Sequence, residues 1–137
     1  MIGIVIVAHG GLAREYRAAL EHVVGPLDGL ATIATGPDDD RAQKQAEICA
    51  AADVVDAGHG VVIVTDMWGG SPSNLSLRAC GPDNRRIVYG ANLPLLIKLA
   101  KSRGKSVDQA VSLATTAGRK YIDSHAVRQE PSRTWGT

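Results

Sequence analysis

The segment that decides the fold is Ile2-Gly3-Ile4-Val5-Ile6-Val7-Ala8, followed directly by His9-Gly10-Gly11. A continuous apolar run, as opposed to an alternating one, is typical of a strand that is covered on both faces. The glycine pair ends the run, and a helical pattern begins immediately after it. We therefore expect a buried strand that presents an imidazole at its carboxyl end, beside a helix N-terminus. In open α/β sheets this is where ligands bind and where helix N–H groups hold anions.

Three further β-type runs follow, at residues 30–35, 61–65 and 87–89, and helical patterns separate them. This alternation predicts an α/β fold with three αβα layers around a doubly wound, mostly parallel sheet of four or five strands. We expect one domain over residues 1–128 and a polar tail over 129–137. The first helix is expected to end near Gly25-Pro26 and to bury one stripe of side chains: Leu12, Tyr16, Ala19, Leu20, Val23 and Leu27.

Four more helices are expected from local signals. Asp38-Asp39-Asp40 precedes the second, where carboxylates suit the positive end of a helix dipole, and we prefer this capping role to a metal site. A short helix is expected from Pro72 to Ala79. Another begins near Asn92, with Pro94 in its first turn. The last is opened by Ser106-Val107-Asp108-Gln109, which has the form of a capping box, and should run through Tyr121.

Composition excludes several classes of protein. The chain has 137 residues and a net charge of +1, which argues against nonspecific nucleic-acid binding. No apolar stretch is long enough to cross a membrane, and no basic segment precedes the first apolar run as in a signal peptide. We therefore expect a cytoplasmic protein. Cys49 and Cys80 form no C-x-x-C motif and are interpreted as small hydrophobic residues.

A second loop, Asp66-Met67-Trp68-Gly69-Gly70-Ser71-Pro72-Ser73-Asn74, follows the 61–65 strand and is expected at the same rim as His9. A nucleophilic histidine needs one ring nitrogen free, while a carboxylate on the other nitrogen fixes the tautomer and stabilises the charge that develops on the ring. Asp66 is the natural partner, because strands one and three can be neighbours in a right-handed βαβαβ order. Together the two loops predict a site for a phosphoryl group carried on His9.

The phosphoryl group also needs hydrogen-bond donors. Backbone N–H groups of Gly10, Gly11 and Leu12 are candidates, and the glycines allow close approach. The second loop offers Gly69, Gly70, Ser71 and Ser73. Ser71 equally fits a plain helix N-cap before Pro72 at the first helical position, and both roles remain open.

Competing sites are less well supported. His59 precedes the third strand and is expected at the opposite rim of the sheet, so a metal site that joins it to His9 is not expected. A hydrolase triad of His9, Asp66 and Ser71 or Ser73 lacks the G-x-S-x-G elbow. Neither a G-x-G-x-x-G nor a Walker loop is present, so no nucleotide site is expected. His22 is expected on a helix surface.

The residues around both loops resemble a known family. Residues 7–13 and 65–74, with the D-x-W-G-G-S-P-x-N block, resemble the EIIA domain of the mannose family of the phosphoenolpyruvate-dependent sugar phosphotransferase system. Residues 90–96 are similar to that family's G-x-N-x-P-(M/L)-L stretch. The resemblance implies a cytoplasmic α/β phosphotransferase domain, usually a homodimer, that needs no cofactor or metal.

It further implies a role for each matching residue. His9 would accept a phosphoryl group from phospho-HPr on Nε2 and pass it to a histidine or cysteine of an EIIB protein. Asp66 would orient His9, and Ser71 would lie near the phosphate with Gly10, Gly11 and Gly70. Trp68 and Pro72 would shape the rim on which the partners dock.

Alternatives stay open beside this interpretation. Many members of the family carry a fused EIIB domain after a linker. This chain stops without one, so we expect its EIIB to be a separate protein. No clear final strand of the kind that some relatives exchange between subunits is present, which leaves the dimer geometry open. A regulatory binding module, whose His9 phosphorylation controls a partner, is a second hypothesis. The third is a phosphocarrier for dihydroxyacetone kinase, although those domains generally lack the W-G-G-S-P-x-N block. The sugar, if any, is not encoded here.

Overall fold

The computed structural model describes residues 1–67 and 83–128. The predicted helix 72–79 and the tail 129–137 lie outside these ranges, as do the predicted site residues Trp68, Gly70, Ser71 and Pro72. The elements in chain order are β1 (Gly3–His9), α1 (Leu12–Val24), β2 (Leu30–Thr35), α2 (Arg41–Val55), β3 (Val61–Thr65), β4 (Arg85–Val88), α3 (Leu93–Lys101) and α4 (Val107–Lys120).

The four strands form one parallel sheet in the order β2-β1-β3-β4. In this register His9 lies opposite Thr35 of β2, and Val7 lies opposite Thr65 of β3. The predicted α/β fold is confirmed, and so is the prediction that strands one and three are neighbours. Because all strands are parallel, the carboxyl ends of β1, β2 and β3 meet at one rim.

Both faces of β1 are buried, as its continuous apolar sequence predicts. Ile4, Ile6 and Ala8 pack in a cluster with residues of α1, α3 and α4, whereas Val5 and Val7 pack with residues of α2. Full burial of each such side chain contributes about 1.5–3 kcal/mol relative to exposure. The central strand that ends in His9 is therefore among the most firmly held parts of the described chain.

The buried face of α1 differs from the prediction. Ala13 and Leu20 are buried, and Tyr16, Val24 and Leu27 pack partly against the same cluster. Leu12 and Val23, which were expected in the buried stripe, are 39% and 52% exposed. The buried face is rotated by about one residue, since the helix must present Ala13 and Leu20 to the sheet, and periodicity alone does not fix which edge of an apolar stripe makes contact.

The fourth strand begins two residues earlier than the apolar run at residues 87–89 predicts. It spans Arg85–Val88, and Tyr89 is exposed beyond its end. The guanidinium of Arg85 lies 2.6 Å from the Asp53 carboxylate and 3.4 Å from that of Asp56, both in the C-terminal part of α2 or just after it. Because of this pairing, a charged residue can begin the strand although its side chain is only 6% exposed. A search for apolar runs does not find a strand start of this kind.

The helix starts follow the predicted caps. The side chain of Asp40 accepts a hydrogen bond from the N–H of Gln43, and that of Asn92 accepts one from Leu95. Ser106 and Gln109 form the expected capping box. The last helix ends at Lys120, one residue earlier than expected, and Tyr121 is 66% exposed.

A buried arginine closes the amino end of the sheet. The guanidinium and Nε of Arg103 donate to the carbonyls of Ile2 at 2.7 Å, Asp28 at 2.7 Å and Gly29 at 3.0 Å. These contacts fasten the turn after α3 to the starts of β1 and β2, far from the rim that carries His9. Over residues 1–67 and 83–128, no helix is both long enough and apolar enough to span a membrane.

Candidate functional site

His9 is where the buried strand reaches solvent. Residues 3–8 of β1 are buried, whereas the side chain of His9 is 47% exposed. The backbone leaves the strand through Gly10, which has a φ of 56°. Only glycine adopts this left-handed conformation without strain, so Gly10 turns the chain sharply from His9 into α1.

Asp66 holds His9 by two hydrogen bonds to one carboxylate oxygen. Its Oδ2 lies 2.8 Å from the Nδ1 of His9 and accepts the backbone N–H of the same residue at 3.1 Å. The pairing of β1 with β3 ends at Thr65, so the carboxylate of the next residue takes over as acceptor at the end of the ladder. The ring is thereby fixed relative to its own backbone, and among the described residues Nε2 has no hydrogen-bond partner.

The electrostatics of Asp66 favour its charged form. Burial by itself raises the pKa of a carboxyl group, but the side-chain and backbone hydrogen bonds from His9, together with the charge of its ring, hold the pKa of Asp66 below its ordinary value of 3.8. The side chain is only 11% exposed. Its other oxygen, Oδ1, is buried and has no hydrogen-bond partner among the residues that the structure describes. A carboxylate in this setting acts on His9 through Oδ2.

The backbone N–H groups around the glycine pair are not equivalent. That of Gly10 donates to the carbonyl of Thr35 at 2.9 Å, so it is already engaged. Gly11 is the N-cap of α1 and supplies no side-chain cap, in contrast to Asp40, Asn92 and Ser106 at the other described helix starts. The first N–H groups of a helix have no partner within it. Those of Gly11, Leu12 and Ala13 are therefore the donors available to an anion beside His9.

An open cleft adjoins these donors. It has a volume of about 350 Å³ and is lined by Gly10, Gly11, Ala13, Arg14, Thr32 and Ala34. The Arg14 side chain is 81% exposed, and its only ion pair among the described residues is with Glu15 at 3.8 Å. The cleft therefore combines small side chains, a helix N-terminus and one cation at the edge of the site.

Sequence reasoning missed a contact behind Asp66. The hydroxyl of Tyr16 donates to the carbonyl of Ala91 at 3.0 Å, and the N–H of Ala91 donates to the carbonyl of Thr65 at 3.0 Å. Burial first, and the charge of Asp66 second, raise the pKa of the Tyr16 phenol. The apolar stripe of α1 included Tyr16, but nothing in the sequence pairs it with residue 91.

The other histidines lie away from the site. His59 is at the amino-end rim, as predicted, where its Nδ1 lies 3.1 Å from the N-terminal amine. His22 is exposed on α1, also as predicted, and His125 is exposed after α4. In residues 1–67 and 83–128, no three His, Cys, Asp or Glu side chains are grouped to hold a metal ion.

The chain matches a known protein family. Residues 3–115 match the family model described as the PTS system fructose IIA component, EIIA-man. The chain is 29% identical over 124 residues to the PTS system mannose-specific EIIAB component of Escherichia coli K12. The aligned segment covers 88% of this chain and 38% of that protein. It thus spans little more than a third of the length of this relative.

Solved structures show the same fold. The mannose/sorbose specific IIA subunit from Enterococcus faecalis superposes with a TM-score of 0.82 and 26% identity, covering 94% of this chain and 98% of that one. The PTS IIA protein associated with the fucose utilization operon of Streptococcus pneumoniae gives a TM-score of 0.77 and 26% identity, covering 88% and 91%. The chain belongs to the mannose-family EIIA domains of the phosphotransferase system. This membership supports a general role in phosphoryl transfer.

Proposed function

We propose that this chain is a histidine phosphocarrier that accepts a phosphoryl group from phospho-HPr on Nε2 of His9 and passes it to an EIIB protein. The observation that carries the proposal is the contact between His9 and Asp66. Because Nδ1 lies 2.8 Å from a carboxylate that favours its charged form, the neutral ring carries its proton on Nδ1. The lone pair of Nε2 is then available as a nucleophile, on a side chain that is 47% exposed.

No proton leaves the site during the proposed transfer of the phosphoryl group. The lone pair of Nε2 forms a bond to phosphorus while the P–N bond to the donor imidazole breaks, and the electron pair of that bond returns to the donor ring. The His9 ring becomes positively charged, and the Asp66 carboxylate stabilises it through Nδ1–H. Passage to EIIB repeats the step with His9 as donor. Such transfer depends on positioning and electrostatic stabilisation, because the protein does little covalent chemistry.

The phosphoryl oxygens need donors that are in place beforehand. Because the N–H of Gly10 is engaged by Thr35, we propose the N–H groups of Gly11 and of the first turn of α1 as the donors on this side. Gly10 contributes the left-handed turn that leads into α1. From the second loop we propose Gly70 and Ser71 as phosphate contacts and Trp68 and Pro72 as docking residues. This assignment follows from the resemblance of residues 65–74 to the family motif.

Two further properties belong to the proposal. We expect the chain to act as a homodimer in the cytoplasm, as the resemblance implies, in sugar uptake or its regulation. HPr is proposed as the phosphoryl donor and EIIB as the acceptor, which follows from the family role in the phosphotransferase system. No metal or nucleotide takes part in the proposed step.

Intact-protein mass spectrometry tests the proposal. The chain is incubated with phosphoenolpyruvate, Enzyme I and HPr from the same organism, beside His9→Ala and the exposed-histidine control His22→Ala. We expect an acid-labile gain of one phosphate in the native protein and in His22→Ala, and no gain in His9→Ala. Subsequent addition of EIIB should remove the phosphate. A folded protein that gains no phosphate contradicts the proposal, and one that gains it but never passes it on favours a regulatory module.

A further inference from the structure

Tyr16 lies behind the candidate site, on the second turn of α1. Its side chain is partly buried and packs against the cluster that also contains Ala91 and Leu93. The hydroxyl donates to the carbonyl oxygen of Ala91 at 3.0 Å. This bond joins α1 to the segment between β4 and α3, two parts of the chain that are 75 residues apart.

Ala91 is in turn bonded to the strand that carries Asp66. Its N–H donates to the carbonyl of Thr65 at 3.0 Å, and Thr65 is fully buried. The carbonyl of Thr65 and the N–H of Asp66 belong to one planar peptide unit. A hydrogen bond that fixes this carbonyl oxygen therefore fixes the backbone from which the Asp66 side chain starts.

Asp66 completes the series with its two hydrogen bonds to His9, at 2.8 and 3.1 Å. The series thus runs from Tyr16 through Ala91 and Thr65 to Asp66 and His9. Gly90 helps to position Ala91 in this series, because its φ of 80° turns the chain directly before Ala91. The links are hydrogen bonds, the Thr65–Asp66 peptide and Ala91 itself, whose carbonyl and N–H lie in the two peptide units on either side of its Cα.

The Tyr16 phenol is also close enough to Asp66 for the carboxylate charge to oppose its ionisation. It therefore stays protonated and remains a donor to Ala91. A phenylalanine at this position fills the same apolar space but leaves a partly buried carbonyl without its donor. A carbonyl that loses its single partner in this way carries an uncompensated desolvation penalty.

We propose that Tyr16 is a positioning residue for the phosphoryl transfer: through the backbone of Ala91, its hydroxyl holds Asp66 in the orientation that keeps the proton of His9 on Nδ1. This inference rests on the proposed function for its kinetic consequence. The consequence for the ring of His9 is independent of it, because the tautomer exists in the unphosphorylated protein. The role is distinct from catalysis, since Tyr16 is not proposed to touch the phosphoryl group.

The test compares Tyr16→Phe with Tyr121→Phe, which removes the same hydroxyl from an exposed tyrosine after α4. Nitrogen-15 NMR of the unphosphorylated proteins reports which ring nitrogen of His9 carries the proton. We expect Tyr16→Phe to lower the Nδ1–H fraction and Tyr121→Phe to leave it at the native value. Gly90→Ala disturbs the Gly90–Ala91 peptide from the other side, because alanine is strained at a φ of 80° although no described atom lies within 4 Å of the position of its methyl group. It should shift the ring signals in the same direction.

Kinetics give a second readout. With phospho-HPr as donor, Tyr16→Phe should lower the maximal transfer rate by about tenfold through misplacement of the nucleophile and leave the half-saturating HPr concentration unchanged. Native ring signals and rate in Tyr16→Phe, or equal effects in Tyr121→Phe, overturn the proposal. If Tyr16→Phe does not fold, native His9 signals in Gly90→Ala overturn it. If the native protein accepts no phosphate, the proposed function fails, yet the NMR comparison still decides whether Tyr16 positions the ring.

Discussion

Asp66 uses a single oxygen, Oδ2, to engage both the ring and the backbone of His9, at 2.8 Å from Nδ1 and 3.1 Å from the main-chain nitrogen. The two contacts restrain different parts of the same residue. The backbone contact sets where the side chain begins, and the ring contact sets its rotation and favours the proton on Nδ1. A nucleophilic Nε2 is the chemical consequence.

Replacement of Asp66 by asparagine tests the charge on this oxygen. Asp66→Asn keeps the size of the side chain but removes the carboxylate that stabilises a positively charged ring. Hydrogen bonds to a charged group contribute about 1.5–3 kcal/mol, so we expect the rate of transfer from phospho-HPr to fall by about tenfold to about a hundredfold. Single-turnover quench kinetics give the rate, and circular dichroism should show an unchanged fold.

The control for that variant is Asp108→Asn, which alters an exposed carboxylate paired with Arg86. It should transfer at the native rate. A native rate in Asp66→Asn removes Asp66 from the mechanism.

The pKa of Asp66 predicts a pH dependence of stability. Because the folded-state pKa lies below 3.8, the native state binds this proton less readily than the unfolded chain. The contribution of Asp66 to the free energy of unfolding is therefore complete above the unfolded-state pKa and is lost as pH falls through the folded-state value. Urea unfolding of the native protein and Asp66→Asn should give a stability difference that is constant near neutral pH and shrinks below about pH 4. A difference that grows on acidification contradicts this sign.

Gly10 supplies a prediction about the turn. At a φ of 56° an alanine is strained, although no atom of the described residues lies within 4 Å of the position of its methyl group. We expect Gly10→Ala to lower the free energy of unfolding by about 1 kcal/mol and to slow phosphorylation, because the turn positions both His9 and the start of α1. Gly104→Ala is the matched control, since that glycine also has open space but no left-handed backbone. Equal stability of the two variants argues against strain at Gly10.

Replacement of Arg103 is expected to lower the stability of the protein without changing its rate of phosphorylation. Its buried side chain donates to three backbone carbonyls, and burial lowers the pKa of its guanidinium although Asp28 opposes the shift. Arg103→Ala removes a donor from each carbonyl, although that of Gly29 still accepts the N–H of Ile4 at 3.0 Å, and it should cost about 2 kcal/mol or more in urea unfolding. Arg86→Ala removes an exposed ion pair and should cost less than about 1 kcal/mol. Both folded proteins should be phosphorylated at the native rate, and a slow Arg103→Ala that remains folded contradicts this separation.

The sequence was most informative where a local pattern is sufficient. The continuous apolar run before His9 predicts a buried strand, and the caps at Asp40, Asn92 and Ser106 predict helix starts, because each signal depends on residues a few positions apart. The pairing of His9 with Asp66 was predicted from strand order, and the structure confirms their contact.

Features that depend on distant partners were missed. The strand start at Arg85 is stabilised by Asp53 and Asp56 of another element. The use of the Gly10 N–H by Thr35 and the contact of Tyr16 with Ala91 likewise join segments that no local pattern relates. The contribution of Trp68, Gly70, Ser71 and Pro72 stays a prediction, since these residues lie outside the described ranges.

The most direct test of the central claim is NMR of the phosphorylated protein labelled with nitrogen-15 at histidine. The chain is phosphorylated with phosphoenolpyruvate, Enzyme I and HPr, and coupling to phosphorus identifies the nitrogen that carries the phosphoryl group. Because Asp66 engages Nδ1, we expect the phosphoryl group on Nε2 of His9 with the proton retained on Nδ1. A phosphoryl group on Nδ1 of His9, or on any other histidine, contradicts the proposed mechanism.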